Sequence, residues 1–145
     1  MEYETRRENF LISTDKKKLD IDCIYDFLSE SYWAKGRPRE VVTRSLENSL
    51  CFGVYDAEKD IQVGFARVVS DNATFAYIAD LFIIEGYRKN GLSKFLMQTI
   101  MEHPELQILG KWMLGTKDAH SLYEKFGFGP LPRPERLMMK KNFNN

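Results

Sequence analysis

Cysteine is scarce in this chain: Cys23 and Cys51 are the only two among 145 residues. They lack the C-x-x-C spacing of a metal or redox pair and sit among apolar neighbours, which predicts two buried, reduced thiols and argues against a disulfide scaffold. No structural metal is expected. Long hydrophobic runs are missing as well, since no window approaches the ~20 apolar residues of a membrane span. The opening MEYETRRENFLIST places charges where a secretory signal needs an apolar stretch, so the reading is cytoplasmic with no membrane partner. Neither sign of charge is in excess, with 21 basic against 21 acidic side chains, and the electrostatic footprint of a nucleic-acid binder is therefore absent. Repeats, low-complexity tracts and linkers are also lacking. What remains is a 43% hydrophobic chain of a length that one core can organise, which predicts a single domain over residues 1–145.

The pattern along the chain alternates between the two periods. ENFLIST predicts a short strand and DKKKLD a solvated turn, with Asp20 placed to cap the following helix. In LDIDCIYDFLSESYW, residues Ile21, Ile24, Tyr25, Leu28 and Tyr32 recur at steps of three and four, which predicts an amphipathic helix. After AKGRP, Pro38 suits a first helical turn, and Val41, Val42, Ser45 and Leu46 define a second helix. SLCFGVYD and IQVGFARVV read as strands of a hairpin joined by AEKD. TFAYIADLFII reads as a central strand covered on both sides, with Phe75, Tyr77, Ala79, Leu81 and Ile83 on one face and Ala76, Ile78, Phe82 and Ile84 on the other. A helix from near Gly91 to before Pro104 follows, then a strand in LQILGKWML. A short helix with Asp118 as N-cap and Gly127 past its end comes next, and RLMMKKN reads as a final strand. The order predicts an α+β or mixed α/β domain.

The stretch EGYRKNGLSKFLMQTI, Glu85 to Ile100, raises the chemical question. A helix start carries unpaired N–H groups and partial positive charge, and an apolar strand feeding it through a Gly-containing loop converges those groups on one point suited to phosphate. Gly91 allows backbone to approach a ligand closely, and Arg88, Lys89 and Lys94 add charge. An ordinary helix start would look the same on this segment alone. GYRKNGLS resembles the G-x-x-x-x-G-K-[ST] nucleotide loop except that Leu92 stands where its lysine is required, which rejects ATP. The sequence contains no G-x-G-x-x-G, which rejects a dinucleotide fold.

Two motifs taken together resemble the GNAT superfamily of acetyl-CoA-dependent N-acyltransferases: Arg88-Lys89-Asn90-Gly91-Leu92-Ser93 after a strand, then Ala119, Leu122, Tyr123, Gly127 and Phe128 about thirty residues on. The resemblance spans nearly the whole chain and implies a mostly antiparallel sheet of six to seven strands with about four helices. It implies acetyl-CoA as co-substrate, with its pyrophosphate on the backbone N–H groups of Arg88, Lys89, Asn90, Gly91, Leu92 and Ser93 and its pantetheine arm beside Phe82 and Ile83. The Ile83 N–H would polarise the thioester carbonyl. Ser93 departs from the Gly or Ala usual there.

By the same resemblance Tyr123 is the general acid toward the leaving thiolate. Asp80, the only charge in its strand, is the candidate general base or water-orienting group, although a carboxylate so placed is equally accounted for by an Arg partner or loop N–H groups. Glu30 and His120 are weaker alternatives, more simply read as surface residues. Acceptor contacts are expected from Tyr32, Trp33 and Arg67. The implied activity is acetyl transfer to a primary amine, of a small molecule or a peptide, by direct attack in a ternary complex. A non-catalytic acyl-CoA sensor or adaptor and an acyltransferase for longer chains are the alternatives. Pairing of final strands in the family leaves a homodimer open.

Overall fold

The computed structural model describes residues 2–143. A single sheet runs in the order β1 (Glu4–Arg7), β2 (Phe10–Ser13), β3 (Leu50–Asp56), β4 (Ile61–Ser70), β5 (Phe75–Ile83), β6 (Lys111–Leu114). Every neighbouring pair is antiparallel except β5 with β6. Four helices accompany it: α1 (Ile21–Glu30), α2 (Arg39–Glu47), α3 (Leu92–Glu102) and α4 (His120–Glu124). This is the mixed α/β architecture, six strands with four helices, that the two motifs imply. Among the described residues no helix is long and apolar enough to cross a membrane.

Two cores lie on opposite faces of the sheet. On one, Leu92, Leu96, Met97 and Ile100 of α3 pack on Phe52, Val54, Ala76 and Ile78. On the other, Ile24 and Leu28 of α1 and Val42 and Leu46 of α2 cover Cys51, Phe65 and Phe82. The α3 stripe predicted from spacing is buried throughout, whereas in the first two helices only Ile24, Leu28, Val42 and Leu46 of the predicted positions are fully buried, Val41 being 46% exposed and Tyr32, beyond the end of α1, 58% exposed. Asp20 caps α1, its carboxylate accepting from the Cys23 N–H at 3.1 Å. Both cysteines are free, Cys51 buried and Cys23 only half-buried, and burial above all pushes each thiol up to about 11.

Several elements differ from the sequence reading. Helix α1 stops at Glu30, short of Trp33, because the Ser31 hydroxyl donates to Leu28 O at 2.7 Å and accepts from the Ala34 N–H at 3.1 Å, which turns the chain. Pro38 sits one position before the first turn of α2, with extended backbone. Ala119, not Asp118, precedes α4, and its N–H is held by the Thr116 hydroxyl. Strand β1 escaped notice because Glu4–Arg7 is a charged edge strand with no apolar alternation. The expected final strand does not form: a 3-10 turn at Pro134–Arg136 is followed by irregular chain in which Met138 is 98% and Met139 82% exposed. A strand needs a paired neighbour, and this segment has none among the described residues.

The most consequential difference is in β5. It is the fifth strand of six rather than central, and its two faces are not those read from strict alternation. Phe65 pairs with Phe82 but Arg67 with Ala79, so Asp80 and Leu81 stand opposite Ala66 alone. Asp80 has φ of 55°, in the left-handed region. This is a β-bulge, and it switches which face each later residue serves. Ala76 and Ile78 face α3 before it; after it Ile83 joins the α3 core while Phe82 joins α1 and α2.

Candidate active site

The bulge opens the sheet. Strand β6 pairs with β5 only from Phe75 to Ile78, and beyond that point the two strands part around a cavity of about 780 Å³. One wall is β5 from Ala79 to Ile83; the other is the chain from Leu114 to Ala119 with Leu122 and Tyr123. Phe27, Tyr32 and Trp33 close one end, and Arg88 and Ser93 border the other.

Backbone polarity of this cavity follows from the ladder. The Ile84 N–H donates to Val63 O at 2.9 Å, and N–H groups alternate in direction along a strand, so the Ile83 N–H points away from β4 toward the open side. The Ile83 carbonyl accepts from Arg88 Nε at 3.0 Å, which folds the Arg88 side chain back onto the strand end. The loop then crosses to α3 through Lys89 and Gly91, with φ of 71° and 70°. Among the described residues, none of the N–H groups from Lys89 to Ser93 has a protein acceptor. They form an anion-seeking helix start. The Leu92 side chain is buried in the core, so only its backbone can serve a ligand. Ser93, half-buried, brings a hydroxyl to the cavity.

Tyr123 is 9% exposed and borders the cavity from the opposite wall. Burial raises its phenol above the ordinary tyrosine value, with Tyr32 and Asp118 adding to the shift. Its hydroxyl has no protein partner among the described residues, which leaves it available to a ligand.

Asp80 occupies the bulge with its side chain 2% exposed. Oδ1 accepts from Trp33 Nε1 at 2.8 Å, and Oδ2 accepts from Arg37 Nη1 at 2.9 Å and Arg67 Nε at 2.6 Å. Burial opposes ionisation, yet the Arg67 hydrogen bond and the charges of Arg67 and Arg37 outweigh it and hold this carboxyl below its ordinary value. Trp33 and Asp80 border the cavity, whereas Arg67 lies behind Asp80 and extends to Ser49 Oγ at 3.2 Å. Tyr32 is 58% exposed and stands at the rim. Glu30 and His120 are exposed and do not border the cavity.

Sequence reasoning missed Arg37, Phe27 and Lys117. Phe27 stacks on Phe82 at 3.9 Å between ring centroids and 7° between planes. The Lys117 N–H donates to the Tyr32 hydroxyl at 3.1 Å. Arg37 had no local signal, since it lies in the AKGRP break between the two helices and its partner Asp80 stands 43 positions away.

Comparison with known proteins bears on this arrangement. Residues 20–128 match the Acetyltransferase (GNAT) family. A Gibberella zeae protein assigned as an acetyltransferase is 29% identical over 82% of this chain and 78% of its own. A Xanthomonas campestris pv. campestris crystal structure assigned to the GNAT acetyltransferases is 44% identical, with a TM-score of 0.89 over 94% of this chain and 95% of that one. An Elizabethkingia anophelis GNAT acetyltransferase with acetyl-CoA bound shares the fold at 16% identity, with a TM-score of 0.63 over 83% of this chain and 76% of that one. With the family matched over most of its length, this chain belongs to the GNAT acetyltransferases and is an acyltransferase.

Proposed function

We propose that this acyltransferase moves an acetyl group from acetyl-CoA to a primary amine, of a small molecule or a peptide, by direct attack in a ternary complex. One relationship carries the reading: Ile83, Ser93 and Tyr123 border one cavity, and the amides from Lys89 to Ser93, without a protein acceptor among the described residues, belong to the loop that leads into Ser93. The residues fit the coenzyme. Backbone N–H groups from Lys89 through Asn90, Gly91 and Leu92 to Ser93 would hold its pyrophosphate, with the Ser93 hydroxyl as a further donor, whereas the Arg88 N–H is taken up by Glu85 O at 3.3 Å. Phe82 and Ile83 would lie beside its pantetheine arm on the unpaired edge of β5.

When bound, the coenzyme supplies an activated thioester carbonyl. The Ile83 N–H meets the charge that develops on the carbonyl oxygen, an interaction worth about 3 kcal/mol in comparable sites. As the new C–N bond forms and the C–S bond breaks, Tyr123 gives its proton to the departing sulfur and regains one from solvent. Asp80 acts as an orienting group more readily than as a base: it is ionised and taken up by three donors, and Oδ1 keeps one lone pair for a water or the acceptor amine. The amine's surplus proton then leaves through water. Tyr32 and Trp33 wall the acceptor end, and Arg67 acts there through Asp80.

A homodimer is part of this proposal. Leu137, Met138, Met139 and Phe143 are all exposed, and the outer edge of β6 is unpaired among the described residues. The strand-like segment and the free edge would satisfy each other in a second copy.

Calorimetric titration with acetyl-CoA, with ATP as control, tests the reading, followed by an amine screen read by thiol release. Saturable binding of acetyl-CoA and turnover with an amine are expected. Binding without turnover on any amine, unchanged in Tyr123→Phe, would favour an acyl-CoA sensor instead.

A further inference from the structure

We infer that Arg7, on edge strand β1, is a positioning residue of the coenzyme loop; this rests on the acetyl-CoA reading above. Arg7 Nη2 donates to the Asn90 carbonyl at 3.0 Å across 83 positions of sequence. Its guanidinium carbon lies 4.7 Å from the centroid of the Phe95 ring, so the group bridges the first turn of α3 and the loop. A Cβ built on Gly91 would find only this guanidinium near it, at 3.7 and 3.8 Å. Strand β1 is tied to α3 again where the Thr5 and Thr99 hydroxyls meet at 3.2 Å.

The consequence lies in one peptide plane. The carbonyl of Asn90 and the N–H of Gly91 belong to the same trans peptide and point in opposite directions. With the carbonyl fixed on Arg7, the Gly91 N–H is directed away from β1. Lys89 and Gly91 flank Asn90 in left-handed conformation, and glycine accepts either orientation of the plane at little cost. A flipped plane would turn a carbonyl oxygen toward the pyrophosphate in place of an N–H donor. The Asn90 side chain is already engaged, its Nδ2 donating to Tyr87 O at 3.0 Å, so Arg7 is what holds the main chain. Its cationic charge beside the loop favours an anion in the same sense.

The test separates this role from simple attachment of β1 to α3. Binding of acetyl-CoA and of S-acetyl-pantetheine, which lacks the pyrophosphate, is measured by calorimetry for the wild type, Arg7→Met and Arg7→Lys, with thermal unfolding of each. Methionine keeps contact with Phe95 and removes the donor; lysine keeps a cationic donor. The expected result is about tenfold weaker acetyl-CoA binding in Arg7→Met, with S-acetyl-pantetheine unchanged, kcat at saturation retained, and partial recovery in Arg7→Lys. Equal weakening of both ligands, or no weakening of either, would overturn the inference. If the wild type itself fails to prefer acetyl-CoA to S-acetyl-pantetheine, the pyrophosphate assignment fails first and Arg7 with it.

Discussion

The Tyr32 hydroxyl accepts a hydrogen bond from the Lys117 N–H at 3.1 Å, while the Lys117 ammonium lies 5.3 Å from the Tyr32 ring centroid. These two residues join the connection after α1 to the connection after β6, across the acceptor end of the cavity. Tyr32→Phe keeps the ring and removes the acceptor oxygen. Its KM for the amine should rise about three- to tenfold with acetyl-CoA binding unchanged, a split that steady-state kinetics with both substrates varied will read.

Tyr123→Phe should lower kcat by about two to three orders of magnitude and leave acetyl-CoA binding within about twofold. In the proposed reaction the protonated phenol is the active form, and burial raises its pKa above the ordinary ~10. Activity of the wild type should therefore persist through pH 10 before an alkaline decline set by this group. A kcat–pH profile of the variant should lack that limb.

Asp80→Asn leaves Arg67 and Arg37 without their carboxylate in a buried position, and unfolding in urea at pH 7 should show a loss of about 3 kcal/mol. The pH dependence has a definite sign. Because the folded-state pKa is depressed, the stabilisation is present above the ordinary carboxylate value of ~3.9 and is lost as pH falls through the lower folded value. The gap between wild type and variant should narrow as unfolding is repeated below pH 4.

Gly64 lies opposite Ile83, where an added Cβ would come within 2.9 Å of Phe82 O and 2.6 Å of Ile83 Cδ1. Gly64→Ala should displace the end of β5 and cost about 1–3 kcal/mol. Because the Ile83 N–H moves with it, kcat should fall further than the loss of stability explains, as kinetics measured well below the unfolding midpoint will show.

If the proposed dimer forms, truncation after Arg136 should convert it to a monomer without altering the far-ultraviolet spectrum of the folded part. Sedimentation equilibrium measures this directly, and because oligomerisation follows mass action, a full-length chain that still sediments as a monomer at about 100 μM would remove the dimer from the proposal.

Legibility in the sequence followed the range of the interactions involved. The Asp20 cap, the α3 stripe and the helix start at Gly91 are local, and their residues alone specify them. The acid-bearing helix was legible because Ala119, Leu122, Tyr123 and Gly127 have fixed spacing. Strand β1 was not, since its stability comes from pairing with Phe10–Ser13 rather than from its own composition. The faces of β5 were misread because alternation assumes an unbroken period of two. Asp80, the one charge in the apolar run, marked the break, but its partners Arg37 and Arg67 stand 43 and 13 positions away. RLMMKKN has the composition of a strand and lacks only a neighbour within the described residues, which no reading of one segment can supply.

The bulge at Asp80 makes cavity formation a matter of counting. Strand β5 carries one residue more than β4 has partners for, and that surplus falls just beyond Ile78, the last rung shared with β6. A chain shortened by Asp80 would keep Phe82 opposite Phe65 and Ile83 opposite Gly64, and so on their present faces, but would lose the local bend and added twist that part β5 from β6. Of the side chains proposed for the reaction such a deletion would remove only the Asp80 carboxylate, yet the gap between the strands would narrow as the bend was lost.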